Sequence, residues 1–216
     1  MNKITANSQV EFDQAWADPK TYAIRVESDI RITAVGNPAN KGLFVCAAGR
    51  ASLSLRQITS GVVASAEDDA ILYVYDSPTV AVKYTGHSTG SADGVLGVSA
   101  SGYAVVRVEA AANVVNVSDR ASVTVAGLNG QRVWAKKFAQ VYASGVSDAR
   151  VWLYDQAFAE LPREATYARV YAYHESTVSA AAGSVWADGD STVTADTSHP
   201  RVIGTGRARI RQYPGA

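Results

Sequence analysis

The chain of 216 residues carries 20 basic and 20 acidic side chains, so its formal net charge is zero. That balance excludes bulk attraction to nucleic acid or to an anionic membrane and leaves any such binding to a local patch. One Met, six Pro and abundant Ala, Val, Ser and Gly argue against a helical bundle and for many short strands joined by tight turns.

The amino-terminal stretch "MNKITANSQVEF" lacks the apolar core of a secretory leader. No apolar run approaches the roughly 18 residues of a membrane span. A soluble, cytoplasmic protein is expected, and a virion component would read the same way. "SQVEFDQAWADP" contains a capping box, with Ser8 as N-cap and Glu11 three residues on, and Pro19 stops the helix. With the following strand "YAIRV" this makes an N-terminal cap over 1–28. The single cysteine, Cys46, lies in "LFVCAAG" and reads as a buried small hydrophobe.

Beyond it, "ASLSLRQI", "SGVVASAE", "DDAILYVY" and "DSPTVAVK" are units near eight residues long. "TGHSTGSADG" at 85–94 reads as a glycine-rich loop thrown out of the stack. From residue 113 the units become regular, as in "NVVNVSDR", "ASVTVAGL", "AQVYASGV", "SDARVWLY" and "STVTADTS". Apolar residues alternate within each unit, the period of a strand with one buried face. Turn residues cluster between units, at Gly127 to Gly130, at Ser147 and Asp148, and at Asp188 to Asp190.

A unit this short cannot bury its apolar face alone, so two units form a coil that stacks on the next. Val133, Val151, Val170, Val185 and Val202 form one central series, and Val123, Val141, Ala159, Val178 and Val193 the other. The predicted fold is all-β, a single-stranded parallel β-helix or β-solenoid over 29–204, with about 16–18 residues per coil and a short N-terminal capping helix. Residues 205–216, with Arg207, Arg209, Arg211 and Pro214, form a C-terminal cap or tail that guards the last edge.

"ADGDSTVTADTS" and "HESTVSAAAG" resemble the octapeptide repeats of bacterial ice-nucleation proteins. "DSPTVAVK" and "SDARVWLYD" resemble octad-repeat proteins of bacteria and their phages. The resemblance covers residues 65–204 and implies a β-solenoid. Ice binding carries over poorly, because Gln140/Tyr142 and Phe158/Glu160 interrupt the rows Ser122/Thr124, Thr177/Ser179 and Thr192/Thr194.

If the first valine series points inward, its neighbours point outward. Stacking then aligns Arg132, Arg150, Arg169, Ser184 and Arg201 in one row, and Trp134, Trp152, Tyr171, Trp186 and Ile203 in the next. The predicted binding residues are Arg132, Trp134, Arg150, Trp152, Arg169, Tyr171, Trp186 and Arg201, types that dominate binding hot spots. Catalytic chemistry is not expected. Glu109 and Glu160 form no convergent pair, "DGD" reads as a turn, and His87, His174 and His199 are scattered without zinc spacing. Neither metal nor cofactor is expected. The sequence thus reads as a non-catalytic interaction protein, phage- or mobile-element-encoded, that binds a host protein or itself as a homo-oligomer, with no nucleic-acid or membrane partner. A glycan-binding or carbohydrate-active solenoid, of adhesin or tail-fibre type, is the alternative.

Overall fold

Alternating small and branched apolar residues drive each segment into a strand with one buried face, and those faces must then meet. The computed structural model describes residues 2–27, 29–111, 113–126, 132–144, 148–196 and 200–213. Its described strands form two wholly parallel sheets, twelve in sheet A and eleven in sheet B, each strand paired with the ones a full coil before and after. The chain passes from sheet A to sheet B and back, about 18 residues per coil for about 11 turns. The fold class expected from the sequence is the one observed, an all-β parallel β-solenoid with one short helix near its N-terminus. The turns expected at Gly127 to Gly130 and at Ser147, together with His199 and Pro214, lie outside the described residues.

The register matches the two series read from the sequence. In sheet A, Val133 pairs in turn with Val151, Val170, Val185 and Val202. In sheet B, Val123 leads to Val141, Ala159, Val178 and Val193. All these are at most 1% exposed except Val202, which is part-buried in the last coil. Burying one Val side chain contributes roughly 1.5–3 kcal/mol, so the continuous column rather than any one coil holds the fold.

Corners from sheet A to sheet B are uniform. Among the described residues, ten of them take four residues each, from 48–51 to 205–208. The second residue of each is left-handed, with φ between 56° and 71°, at Gly49, Asp68, Gly86, Gly102, Asp119, Lys137, Asp155, His174, Gly189 and Gly206. Gly and Asp tolerate that conformation best, which explains their recurrence. The fourth residue is Ala or Ser, and from Ala51 through Ser191 it is fully buried. Return connections from sheet B to sheet A vary from one residue (Asp76) to eight (36–43).

The strand Asn2–Ala6 pairs with Thr21–Val26 in sheet A. Between them, helix α1 (Gln9–Ala17) starts at Ser8, whose Oγ accepts from the Glu11 amide at 3.2 Å. Glu11 in turn accepts from the Asn7 amide at 2.7 Å, completing the capping box one residue early. Phe12 is fully buried and stacks on Trp16. The Gln9 carboxamide donates to the Thr33 carbonyl and accepts from the Thr33 amide, both at 3.0 Å, and so takes the place of a neighbouring strand on the edge of sheet B.

The segment 85–94 is not an extruded loop. Residues 85–88 form a regular corner and Thr89–Ala92 is a strand of sheet B, paired on both sides. Its glycines serve packing. Gly86 and Gly94 are left-handed, while Gly90 occupies an inward position between Leu72 and Val106. The buried Tyr84 ring fills the space a side chain at 90 would need, and its hydroxyl donates to the carbonyls of Leu72 (2.9 Å) and Ser91 (3.1 Å). A Cβ at residue 90 would collide with the Leu72 carbonyl and crowd that ring. Because it forces the Leu72 backbone to shift, Gly90→Val is expected to cost about 3 kcal/mol or more, beyond ordinary overpacking, and Tyr84→Ala about 3–5 kcal/mol. In urea unfolding the double variant should be less destabilised than the sum of the singles by more than about 0.5 kcal/mol; strict additivity would contradict the exchange of volume between the two sites.

Candidate functional site

The outer face of sheet A gathers the residues singled out in the sequence. Arg132, Arg150 and Arg169 stand in consecutive register, followed by Ser184 and Arg201. One alternation further along each strand, Trp134, Trp152, Tyr171 and Trp186 form a ladder that ends at Ile203. Ring centroids are 5.7 Å apart at Trp134–Trp152, 5.3 Å at Trp152–Tyr171 and 5.1 Å at Tyr171–Trp186. The last two pairs lie within 13° of parallel. Trp134 is 39% exposed and the other three rings are half-buried.

A third row was not anticipated. Tyr154 and Tyr173, the first corner residues of their coils, stack at 5.4 Å and 14°. Tyr154 also lies 6.3 Å from Trp134, and Lys136 sits over its ring. Burial raises the Tyr173 phenol above its ordinary pKa, helped by Tyr154, Tyr171 and Asp188. The row was legible in principle, because each tyrosine lies two residues past a ladder ring and alternation puts both on one face. Where the row stops, Tyr171, Tyr173, Trp186, Asp188, Ile203 and Thr205 line a groove of about 240 Å³.

The arginines of this row lack carboxylate partners. Arg25, Arg50, Arg107, Lys137 and Arg207 each pair with a carboxylate. Among the described residues, no carboxylate lies within ion-pair reach of Arg132, Arg150, Arg169 or Arg201. The Arg150 Nε is buried and finds no acceptor. Nor is the indole N–H of Trp134, Trp152 or Trp186 given a protein acceptor there. Arginine and indole only donate, so the face is rich in donors and poor in acceptors.

Compared with family models, curated proteins and solved structures, the chain matches none. Its reading rests on its own geometry.

The remaining candidates are structural in their surroundings. On sheet B, the rows containing Ser122/Thr124, Thr177/Ser179 and Thr192/Thr194 are broken by Gln140/Tyr142 and Phe158/Glu160, with Tyr142 edge-on to Phe158 at 6.1 Å. Glu109 pairs with Arg107 at 2.7 Å. "DGD" is a corner in which Asp188 accepts from the Gly189 amide and Asp190 pairs with Arg207. Among the described residues no group of three or more His, Cys, Asp or Glu could hold a metal ion, and no helix is long and apolar enough to cross a membrane. His87 stacks on Tyr103 at the corner edge, and the His174 Nδ1 accepts from the Asp155 amide. Cys46 is buried but sits in the outer row of sheet A, between Arg25 and Ser65, with its Sγ 3.6 Å from the Arg25 Nη1. Burial holds its thiol above the ordinary range.

Asp93, just past the strand Thr89–Ala92, is held above the usual carboxylate range, first by burial and then by Glu109 and Asp76. Its folded pKa exceeds its unfolded one, so ionisation opposes folding and stability is lost as pH rises through the folded value. Asp93→Asn should therefore raise Tm at neutral pH, and the gain should shrink as pH falls through the carboxylate range. Thermal melts of both proteins across that range check it; a variant less stable than wild type at neutral pH would contradict it.

Proposed function

We propose that this solenoid is a non-catalytic interaction protein that binds a protein, a second copy or a host partner, through the Arg/aromatic face of sheet A. The observation that carries the reading is the in-register arginine column with no carboxylate of its own, beside a ladder of large aromatics. Three like charges stacked at coil spacing repel one another. A partner that supplies the missing acceptors relieves that repulsion and covers aromatic surface, which a monomer leaves wet at a cost. Trp, Tyr and Arg are the side chains that gain most from such burial. An origin in a phage or mobile element rests on the octad resemblance alone.

The stacking also bears on other partners. A sugar or a nucleobase packs on the face of an aromatic ring, and here the ring faces are turned toward one another along the ladder. Edges point outward. This geometry favours a protein over a glycan or a nucleic acid.

Solution mass by light scattering, on wild type and on a Trp134→Asp/Trp152→Asp variant shown by circular dichroism to be folded, tests the proposal. The expected result is a wild-type dimer that becomes monomeric in the variant, or, for a monomeric wild type, a stoichiometric complex with a protein from cell extract that the variant fails to form. Two folded monomers with identical complexes would sink it.

A further inference from the structure

We infer that the occupant of this face is an acidic amphipathic α-helix lying along the solenoid axis. The inference rests on the protein-binding reading above and adds the chemistry and shape of the partner. The sign of the charge follows from the donors. The arginine column presents guanidinium N–H groups and the ladder presents indole N–H groups, none with a protein acceptor among the described residues. The ring edges turned to solvent are the positive rim of the aromatic quadrupole. The arginine column and the ring edges therefore attract an anion, with Asp188 at the groove the one carboxylate among the lining residues and on the side away from the arginines, and carboxylates meet guanidinium groups with bidentate geometry.

Spacing selects a helix. Successive coils of a parallel stack repeat at about 4.8 Å, so the guanidinium column stands at about 0, 4.8 and 9.6 Å along the axis. Carboxylates at positions i, i+3 and i+7 of an α-helix stand at about 0, 4.5 and 10.5 Å, within reach of flexible side chains at all three. An extended segment offers same-side residues about every 6.6 Å and is out of phase by the third arginine. A helix with side chains is about 10–12 Å across, so it also covers the neighbouring aromatic row, and an apolar residue of its flank reaches the groove bounded by Tyr171, Trp186 and Ile203.

The probe is a blocked three-heptad peptide with Glu at the first and fourth positions of each heptad, Leu at the second and fifth, and Ala or Gln elsewhere. Its companions are a helical peptide with the same residues shuffled off one face, a version with Lys for Glu, and oligo(dT). Calorimetry and intrinsic tryptophan fluorescence on the full chain read binding. The expected result is saturable binding of the first peptide alone, weakened by added salt and reduced at least about tenfold in an Arg132→Gln/Arg169→Gln variant. Both arginines are exposed, which keeps the folded core out of the comparison. Equal binding of the shuffled or Lys peptide, tighter binding of oligo(dT), or no peptide binding would overturn the inference. A Trp134-dependent dimer with no peptide binding would overturn the acidic helix while the protein-binding face still stood, so the two failures are distinguishable.

Discussion

Each of the ten described corners from sheet A to sheet B turns on a residue held at φ between 56° and 71°, followed two positions later by a small Ala or Ser that is fully buried from Ala51 through Ser191. Because the corner always takes four residues, the strand that follows enters sheet B in the same phase as the one below it. A slip of one residue would turn every side chain of that strand to the opposite face. Most insertions are therefore taken up in the return connections; an exception is Ser77–Tyr84, whose two extra residues shift its register against Val95–Ala100 between Val95 and Gly97. The corner admits Lys137 and His174 at the left-handed position and Ser88, Ser176 and Ser191 at the buried one, although those three hydroxyls find no partner. Their cost, about 1–3 kcal/mol for a buried unpaired polar group, is borne by the rest of the stack.

Fixed phase is what turns a sequence repeat into a surface. Outward residues of successive coils fall into columns about 4.8 Å apart, so a repeated Arg-Val-Trp writes a column of charge beside a column of rings. The rings gain from stacking; the arginines, with nothing opposite, do not. The face thus stabilises itself on one row and destabilises itself on the next, which is the feature the proposed protein-binding role draws on. Among the described residues, cations without a carboxylate partner also occur elsewhere on the chain, at Arg31, Arg56 and Arg120 among others, so what sets this column apart is that its arginines stand in consecutive register beside the aromatic ladder.

The valine columns and the Arg and aromatic rows were legible because strand alternation and a near-constant coil are one-dimensional signals. Three features were not. The glycines at 85–94 read as a loop because the sequence does not show that Tyr84 crosses the core into the space left at Gly90. Tyr154 and Tyr173 extend the face because the first corner position still projects beside the ladder, a continuation of strand alternation that the eight-residue units, cut at the corner, hide. Cys46 is buried, but under Arg25 on the outer side rather than in the core, because a long paired side chain can cover a neighbour on a sheet face.

The central claim is that the corner fixes the register of the outer columns, so that residue 169 lies directly beside 184 on the outer face of sheet A. Nitroxide labels at Arg169→Cys and Ser184→Cys, in a Cys46→Ser background, measure that directly by electron paramagnetic resonance. The register predicts strong spin–spin broadening, as for backbones about 4.8 Å apart, and weaker broadening when the second label is moved to Trp186→Cys. Absent broadening for the first pair, or stronger broadening for the second, would contradict the register on which the face depends.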